Sequence, residues 1–154
     1  MNDKSMGIWS LFPRKVKVAL IVILLFPFQT TIVPDWPLTV IDVWGQPLCG
    51  IEVEQVWQHY ALETEGNYDY QTTNDLGQVF FPARTKWATL AFYLFGIVRN
   101  TAECPIDASY GPSANIYAKQ ESEEGLIRGS AHYWPGKTPP KYITLNCSSP
   151  CKRS

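Results

Sequence analysis

The chain has 154 residues, of which 45% are hydrophobic and 18% charged, and its formal net charge at pH 7 is −1. This length and composition fit one globular domain that can bury its own core, and the charge gives no electrostatic basis for binding nucleic acid. Twelve prolines, ten glycines and an aromatic content of 14% favour a turn-rich β protein over a helical bundle.

The N-terminal segment 1–33 has the pattern of an export signal or a signal anchor. Arg14, Lys15 and Lys17 precede the apolar run VALIVILLFPF at 18–28, as the basic region of a signal peptide precedes its apolar region. As a helix, this run would cover about 17 Å, and its extension to Val33 about 24 Å, against a hydrocarbon core of about 30 Å. No small-residue cleavage site follows the run, so cleavage and retention both stay open.

Either outcome predicts that the remainder of the chain leaves the cytoplasm, because the basic flank stays inside. A cleaved chain would be periplasmic or extracellular, and a retained segment at 18–33 would anchor it to the inner membrane. We expect the folded domain over 34–147 and a C-terminal tail over 148–154.

The first part of this domain predicts two strands joined by a turn. Residues 38–44 are mainly apolar with Thr39 and Asp42 interspersed, and the breakers Gly45, Gln46 and Pro47 follow. Residues 51–55 alternate between apolar and acidic side chains, as expected for a strand with one face on a core and one in water.

A hairpin is predicted farther along. Asn74, Asp75 and Gly77 lie at its tip, since Asn and Asp side chains bond their own backbone and Gly adopts a positive φ, and the apolar strand 78–81 follows.

These turns carry a resemblance to a known family. The pattern V-x-D-x-x-G-x-P-x-x-G-x-x-V, followed by T-x-D-x-x-G-x-V-x-F-P, resembles the carboxypeptidase regulatory-like domains. The resemblance implies an all-β fold, a prealbumin-like (transthyretin-like, Ig-like) β-sandwich of about seven strands, and the role of an accessory module without chemistry of its own. The residues that match are Val40, Asp42, Gly45, Pro47, Gly50, Val53, Thr73, Asp75, Gly77, Gln78, Val79, Phe81 and Pro82.

A short helix is predicted over 85–96, where apolar residues recur at spacings of three and four. We interpret it as a helix or a buried strand that covers one end of the core, because its polar face carries few basic residues. An amphipathic helix lying on a membrane is the alternative. Beyond it, the ranges 114–119, 126–134 and 142–146 predict further strands.

The cysteines agree with export. Cys49, Cys104, Cys147 and Cys151 are even in number and follow the signal-like segment, so we expect two disulfides in an oxidising compartment, with three possible pairings. A zinc site is the alternative, but the sequence has no C-x-x-C pair and only two histidines.

Known catalytic patterns of related sandwiches are absent from the sequence. Transthyretin-like hydroxyisourate hydrolases open with His-Val-Leu-Asp, and the matching residues here are Thr39-Val40-Ile41-Asp42, without the histidine. Intradiol dioxygenases hold iron with two Tyr and two His, whereas His59 and His132 have no metal-ligand partner at short spacing. We therefore predict no enzyme activity, no metal and no cofactor.

Three functions remain, in decreasing order of support. The first is a structural or protein-interaction module of the cell envelope, with an envelope protein as partner. The second is an accessory domain that binds carbohydrate or peptide through aromatic side chains, and the third is a small transthyretin-like hydrolase. The candidate ligand-contact aromatics are Tyr110, Tyr117, Tyr133 and Trp134.

Overall fold

The computed structural model describes residues 12–103, 109–122 and 125–146. In these ranges the chain is mainly β, with nine strands and two helices. In chain order they are α1 (Arg14–Leu25), β1 (Pro27–Val33), β2 (Trp36–Asp42), β3 (Glu52–His59), β4 (Asn67–Thr72), β5 (Gln78–Phe81), β6 (Arg84–Thr89), α2 (Leu90–Glu103), β7 (Pro112–Ser122), β8 (Gly125–Tyr133) and β9 (Tyr142–Leu145).

Two sheets form the sandwich. One has the order β5-β2-β9, in which β2 pairs antiparallel with β5 and parallel with β9. The other has the order β4-β3-β7-β8 and is antiparallel throughout. Their inner faces share one hydrophobic core, because alternate residues of each strand point inward. The largest fully buried apolar side chains are Trp36, Phe81, Ile116, Ile143 and Leu145.

A two-stranded ribbon of β1 and β6 continues the β2–β5 pair beyond a bend. β1 leads into β2 through Pro34 and Asp35, β5 leads into β6 through Pro82 and Ala83, and the Asp35 carboxylate accepts a hydrogen bond from the Ala83 N–H at 2.7 Å. Ile32 and Val33, at the end of β1, are buried in the shared core. β1 thus belongs to the folded structure although it falls within segment 1–33; cleavage of that segment stays a prediction.

The structure differs from the helix predicted over 85–96. Residues 84–89 form strand β6, and the helix runs from Leu90 to Glu103. The strand forms because β1 supplies its backbone partners, from Pro27 opposite Thr89 to Val33 opposite Arg84. Together with β1, this strand makes the observed number nine where about seven were expected.

The predicted hairpin at 72–81 is also different. The turn forms as expected: the Asn74 side chain accepts hydrogen bonds from the N–H groups of Leu76 and Gln78, and Gly77 has a φ of 71°. However, β4 before the turn and β5 after it belong to different sheets. The turn therefore connects the two layers of the sandwich.

The molecule has two distinct ends. β3 begins near the turns at Gly50 and Asn74 and ends at His59, beside the loop 60–63 on which α2 packs. We call these the turn end and the helical end. Gly96 of α2 lies against Ala61, where an added Cβ would come within 1.7 Å of the Ala61 carbonyl oxygen.

Candidate binding surfaces

The residues behind the family resemblance shape the turn end. The Asp42 carboxylate accepts hydrogen bonds from the N–H groups of Trp44 and Gln46 at 2.9 and 2.8 Å, which closes the turn after β2. The buried Thr73 hydroxyl donates to the Leu48 carbonyl at 2.7 Å and accepts from the Ile51 N–H at 3.0 Å. These side chains serve turn geometry, since their polar atoms are occupied by backbone groups.

Gly77 is required at this end for two reasons. Its positive φ of 71° disfavours other residues. In addition, a Cβ would lie 2.9 Å from the Leu48 nitrogen, the Pro47 Cβ and the Val40 carbonyl oxygen. Thr73 and Gly77 of the pattern T-x-D-x-x-G thus allow the turn before β5 to pack closely against the turn after β2.

The outer face of the four-stranded sheet carries a group of exposed aromatic side chains. We call it the aromatic face and define it by Tyr68, Tyr70, Tyr117 and Trp134. Glu54 of β3 lies between Tyr70 of β4 and Tyr117 of β7, each of which is its direct partner in the sheet. Tyr68 lies two residues from Tyr70 on β4, on the same face. The ring of Trp134 packs edge-on against His132 at 4.5 Å between ring centroids. Two of the four predicted aromatics, Tyr117 and Trp134, are therefore on one surface.

Charged groups at the centre of this face are paired with one another. The Glu54 carboxylate forms an ion pair with Lys119 and accepts a hydrogen bond from the Tyr70 hydroxyl at 3.0 Å. The hydrogen bond from Lys119 lowers the pKa of Glu54, and the same bond raises the pKa of Lys119. The hydrogen bond to Glu54 likewise raises the pKa of Tyr70. The centre of the face is thus ordered and electrically balanced.

The other two predicted aromatics lie elsewhere. Tyr133 points to the opposite side of β8, where it is buried against Trp36 at 6.2 Å between ring centroids. Tyr110 lies beside α2, and its hydroxyl is 3.0 Å from the Thr101 hydroxyl. Tyr68 and Tyr70 were not among the predicted aromatics. The alternation of Tyr68 and Tyr70 with Asp69 and Gln71 is a sequence signal for a strand. It would suggest that the two tyrosines face the core, whereas in the structure they face solvent.

The two helices expose a second group of apolar side chains. α1 has no buried residue, and it contacts α2, which buries only Gly96. We call the exposed apolar side chains of both helices the apolar surface; they include Val18, Ile21, Val22, Ile23, Leu25, Phe92, Leu94, Phe95 and Val98. No helix in ranges 12–103, 109–122 and 125–146 is both long and apolar enough to cross a membrane.

A polar network attaches the ribbon to the inner face of β3 and β4. Arg84 of β6 forms an ion pair with Asp69, donates to the Gln55 side-chain oxygen at 3.2 Å and stacks on the Trp57 ring at 4.4 Å. Two residues further along β6, toward the helical end, Lys86 pairs with Glu63 at 3.0 Å. These contacts fix the direction in which the ribbon carries α1 and α2.

His59 ends this network and is buried. Its backbone N–H donates to the Glu63 carboxylate at 2.7 Å, its ring packs edge-on against Tyr93, and its Nδ1 atom has no hydrogen-bond partner. Burial lowers the pKa of His59, so the neutral form is favoured. This arrangement is typical of a packed core histidine.

The described residues contain no group of three or more His, Cys, Asp or Glu side chains that could hold a metal ion. The two histidines lie on opposite faces of the four-stranded sheet, His59 inside and His132 outside. Cys49 is half-buried and forms no disulfide with another described residue. Cys104, Cys147 and Cys151 lie outside the described residues, so the two expected disulfides stay a prediction.

A third surface is a groove of about 460 Å³ on the outer face of the β5-β2-β9 sheet. Phe80 and Tyr142 flank it, and polar side chains of β2, β5 and the turn before β5 line it. None of these residues was a predicted ligand contact. Comparison with protein families, curated proteins and solved structures finds no match for this chain.

Proposed function

We propose that this protein is a β-sandwich module of the cell envelope that is held at a membrane surface and has a structural or protein-interaction role. The observation that carries the proposal is the apolar surface, in which two contacting helices expose aliphatic and aromatic side chains to solvent. Exposed apolar surface of this extent on a folded domain indicates a membrane or a protein contact.

Charge favours lipid as the occupant of the apolar surface. Arg14, Lys15 and Lys17 lie in the first turn of α1, directly before its apolar residues. Basic residues beside an apolar helix face are attracted to anionic headgroups while the apolar side chains enter the acyl boundary.

The remaining parts of the proposal rest on the sandwich. Its turn geometry supports membership in the carboxypeptidase regulatory-like domains, with a prealbumin-like fold and no chemistry of its own. The aromatic face is the surface that we propose contacts an envelope protein, because exposed Tyr and Trp side chains contribute most to protein interfaces.

Vesicle flotation of the full-length chain tests the membrane attachment. We expect the protein to float with vesicles of phosphatidylcholine and phosphatidylglycerol, and less with phosphatidylcholine alone. Replacing Val22 and Phe95 together by serine should weaken binding at least about tenfold, because each side chain contributes about 1.5–3 kcal/mol when fully buried.

The matched control replaces exposed apolar residues that lie away from the helices. Leu76 at the turn end is 64% exposed and Phe95 is 63% exposed, so Leu76→Ser removes an apolar side chain of similar fractional exposure without touching the apolar surface. Equal flotation of the V22S/F95S and L76S variants, or no flotation of the unmodified chain, would refute the proposal.

A further inference from the structure

The groove on the outer face of the β5-β2-β9 sheet lies across β2. Phe80 of β5 pairs with Pro37, and Tyr142 of β9 pairs with Thr39, so the two aromatic residues flank β2 on opposite sides. Both side chains are more than half exposed. The volume of about 460 Å³ falls within the range of about 300–1,000 Å³ that is typical of small-molecule sites.

Polar groups without partners line the floor and one wall of the groove. The Thr39 hydroxyl and the Gln78 side-chain amide, which lie on paired residues, make no hydrogen bond to any other described residue. The Asn74 side chain uses its oxygen for the N–H groups of Leu76 and Gln78, and its Nδ2 group has no partner in the described ranges. The groove thus offers hydroxyl and amide groups to a ligand.

The one charged residue among those that line the groove is a lysine. Lys141 lines it and forms no ion pair with a described residue, and none of the residues that line it is acidic. The Lys141 carbonyl oxygen accepts the Thr39 N–H at 2.9 Å, which fixes the backbone of this lysine beside the floor. Lys141 is therefore the group of this groove that could pair with an anionic ligand.

We propose that the groove binds a carboxylated sugar, such as a uronic acid residue of an acidic glycan. Phe80 and Tyr142 would stack on the C–H faces of the sugar rings, because their rings offer large apolar surfaces to a ligand. Thr39, Gln78 and Asn74 would bond the hydroxyl groups, and Lys141 would bind the carboxylate through a charge-assisted hydrogen bond. This proposal does not depend on membrane attachment, since it uses no residue of the helices.

Titration of the full-length chain in detergent micelles with trigalacturonic acid tests the proposal. Its trimethyl ester is the matched neutral ligand, because it keeps the rings and hydroxyl groups and lacks the charge. Backbone amide NMR should show shifts at Thr39, Gln78 and Tyr142, and the acid should bind about five- to tenfold more tightly than the ester.

Variants separate the two parts of the site. Lys141→Gln should reduce the affinity for the acid to that for the ester, and Tyr142→Ala should abolish binding of both. Lys137→Gln, an exposed lysine in the loop before β9, is the control and should bind the acid as the unmodified chain does. Both groove variants change exposed side chains, so their amide spectra should otherwise stay native.

Several outcomes would overturn the proposal. They are no binding of either ligand, equal affinity for acid and ester, equal loss in the Lys137 and Lys141 variants, or shifts confined to the aromatic face. Flotation with vesicles would be unaffected by any of these outcomes, so a failure of this proposal is distinguishable from a failure of the membrane proposal.

Discussion

At the scale of single residues, the buried His59 makes the stability of the fold depend on pH. Glu63 and Lys86 carry opposite charges near His59, and Tyr93 covers its ring. The loss of hydration dominates these effects and lowers the pKa of His59. The folded protein therefore resists the protonation of this ring, whereas the unfolded chain accepts the proton near the ordinary value of about 6.5.

The sign of the pH dependence follows from this difference. Between about pH 7.5 and 5.5 the unfolded state takes up the proton first, so acidification should lower the free energy of unfolding. In His59→Gln this part of the pH dependence should be absent. Urea unfolding of both chains across this range measures it. The control is His132→Gln on the outer face, and an unchanged slope in His59→Gln would contradict the prediction.

At the scale of elements, the β1–β6 ribbon determines how far the N-terminus can be shortened before the fold loses stability. A chain that begins at Pro27 loses α1, which has no buried residue, and should keep its stability within about 1 kcal/mol. A chain that begins at Pro34 also loses β1, with the buried Ile32 and Val33. It should be less stable by about 3–6 kcal/mol, since each buried aliphatic side chain contributes about 1.5–3 kcal/mol.

Urea unfolding midpoints of these two truncated chains provide the measurement. Equal midpoints would mean that β1 is dispensable and would support the boundary predicted between residues 33 and 34. A large difference would place the boundary of the stable domain before Pro27, and any natural cleavage would then have to spare β1.

Elements with strong local signals were predictable from the sequence. β2, β3 and β5 follow alternation and turn residues, and the turns at Gly45, Gly50 and Gly77 have the positive φ that their glycines suggest. The β1–β6 ribbon was not predictable, because β1 begins at the end of the apolar run of the signal-like segment and the apolar spacing that begins in β6 is that of a helix. Apolar spacing at Trp87 and Leu90 looked helical, yet β6 ends and α2 begins between them.

The surfaces were less predictable than the strands. Trp134 and Tyr117 were singled out as aromatic residues in late strands, and both are exposed, whereas Tyr133 between β8 and the core is buried. A one-residue difference reverses the side of a strand on which a side chain lies. The groove at Phe80 and Tyr142 joins strands that are distant in sequence, so only their register in the β5-β2-β9 sheet brings them to one site.

At the scale of the whole molecule, the proposed membrane contact and the turn end lie at opposite ends of β3. The ribbon carries α1 and α2 to one end, and β3 leads from there to the turns at Gly50 and Asn74. If the apolar surface lies in the headgroup region, Leu76 at the turn end stays in water, although it is as exposed as Phe95. A membrane-bound module would thereby hold its groove and turns away from the lipid.

Photo-crosslinking tests this orientation directly. A benzoylphenylalanine placed at position 95 should form adducts with phospholipid when the vesicle-bound chain is irradiated, because the Phe95 ring would reach the acyl boundary. The same residue at position 76 should form none. Intact-mass measurement after irradiation distinguishes the two. Adducts at position 76 and none at 95 would mean that the turn end faces the bilayer, and equal adducts at both would mean that the chain contacts lipid without a fixed orientation.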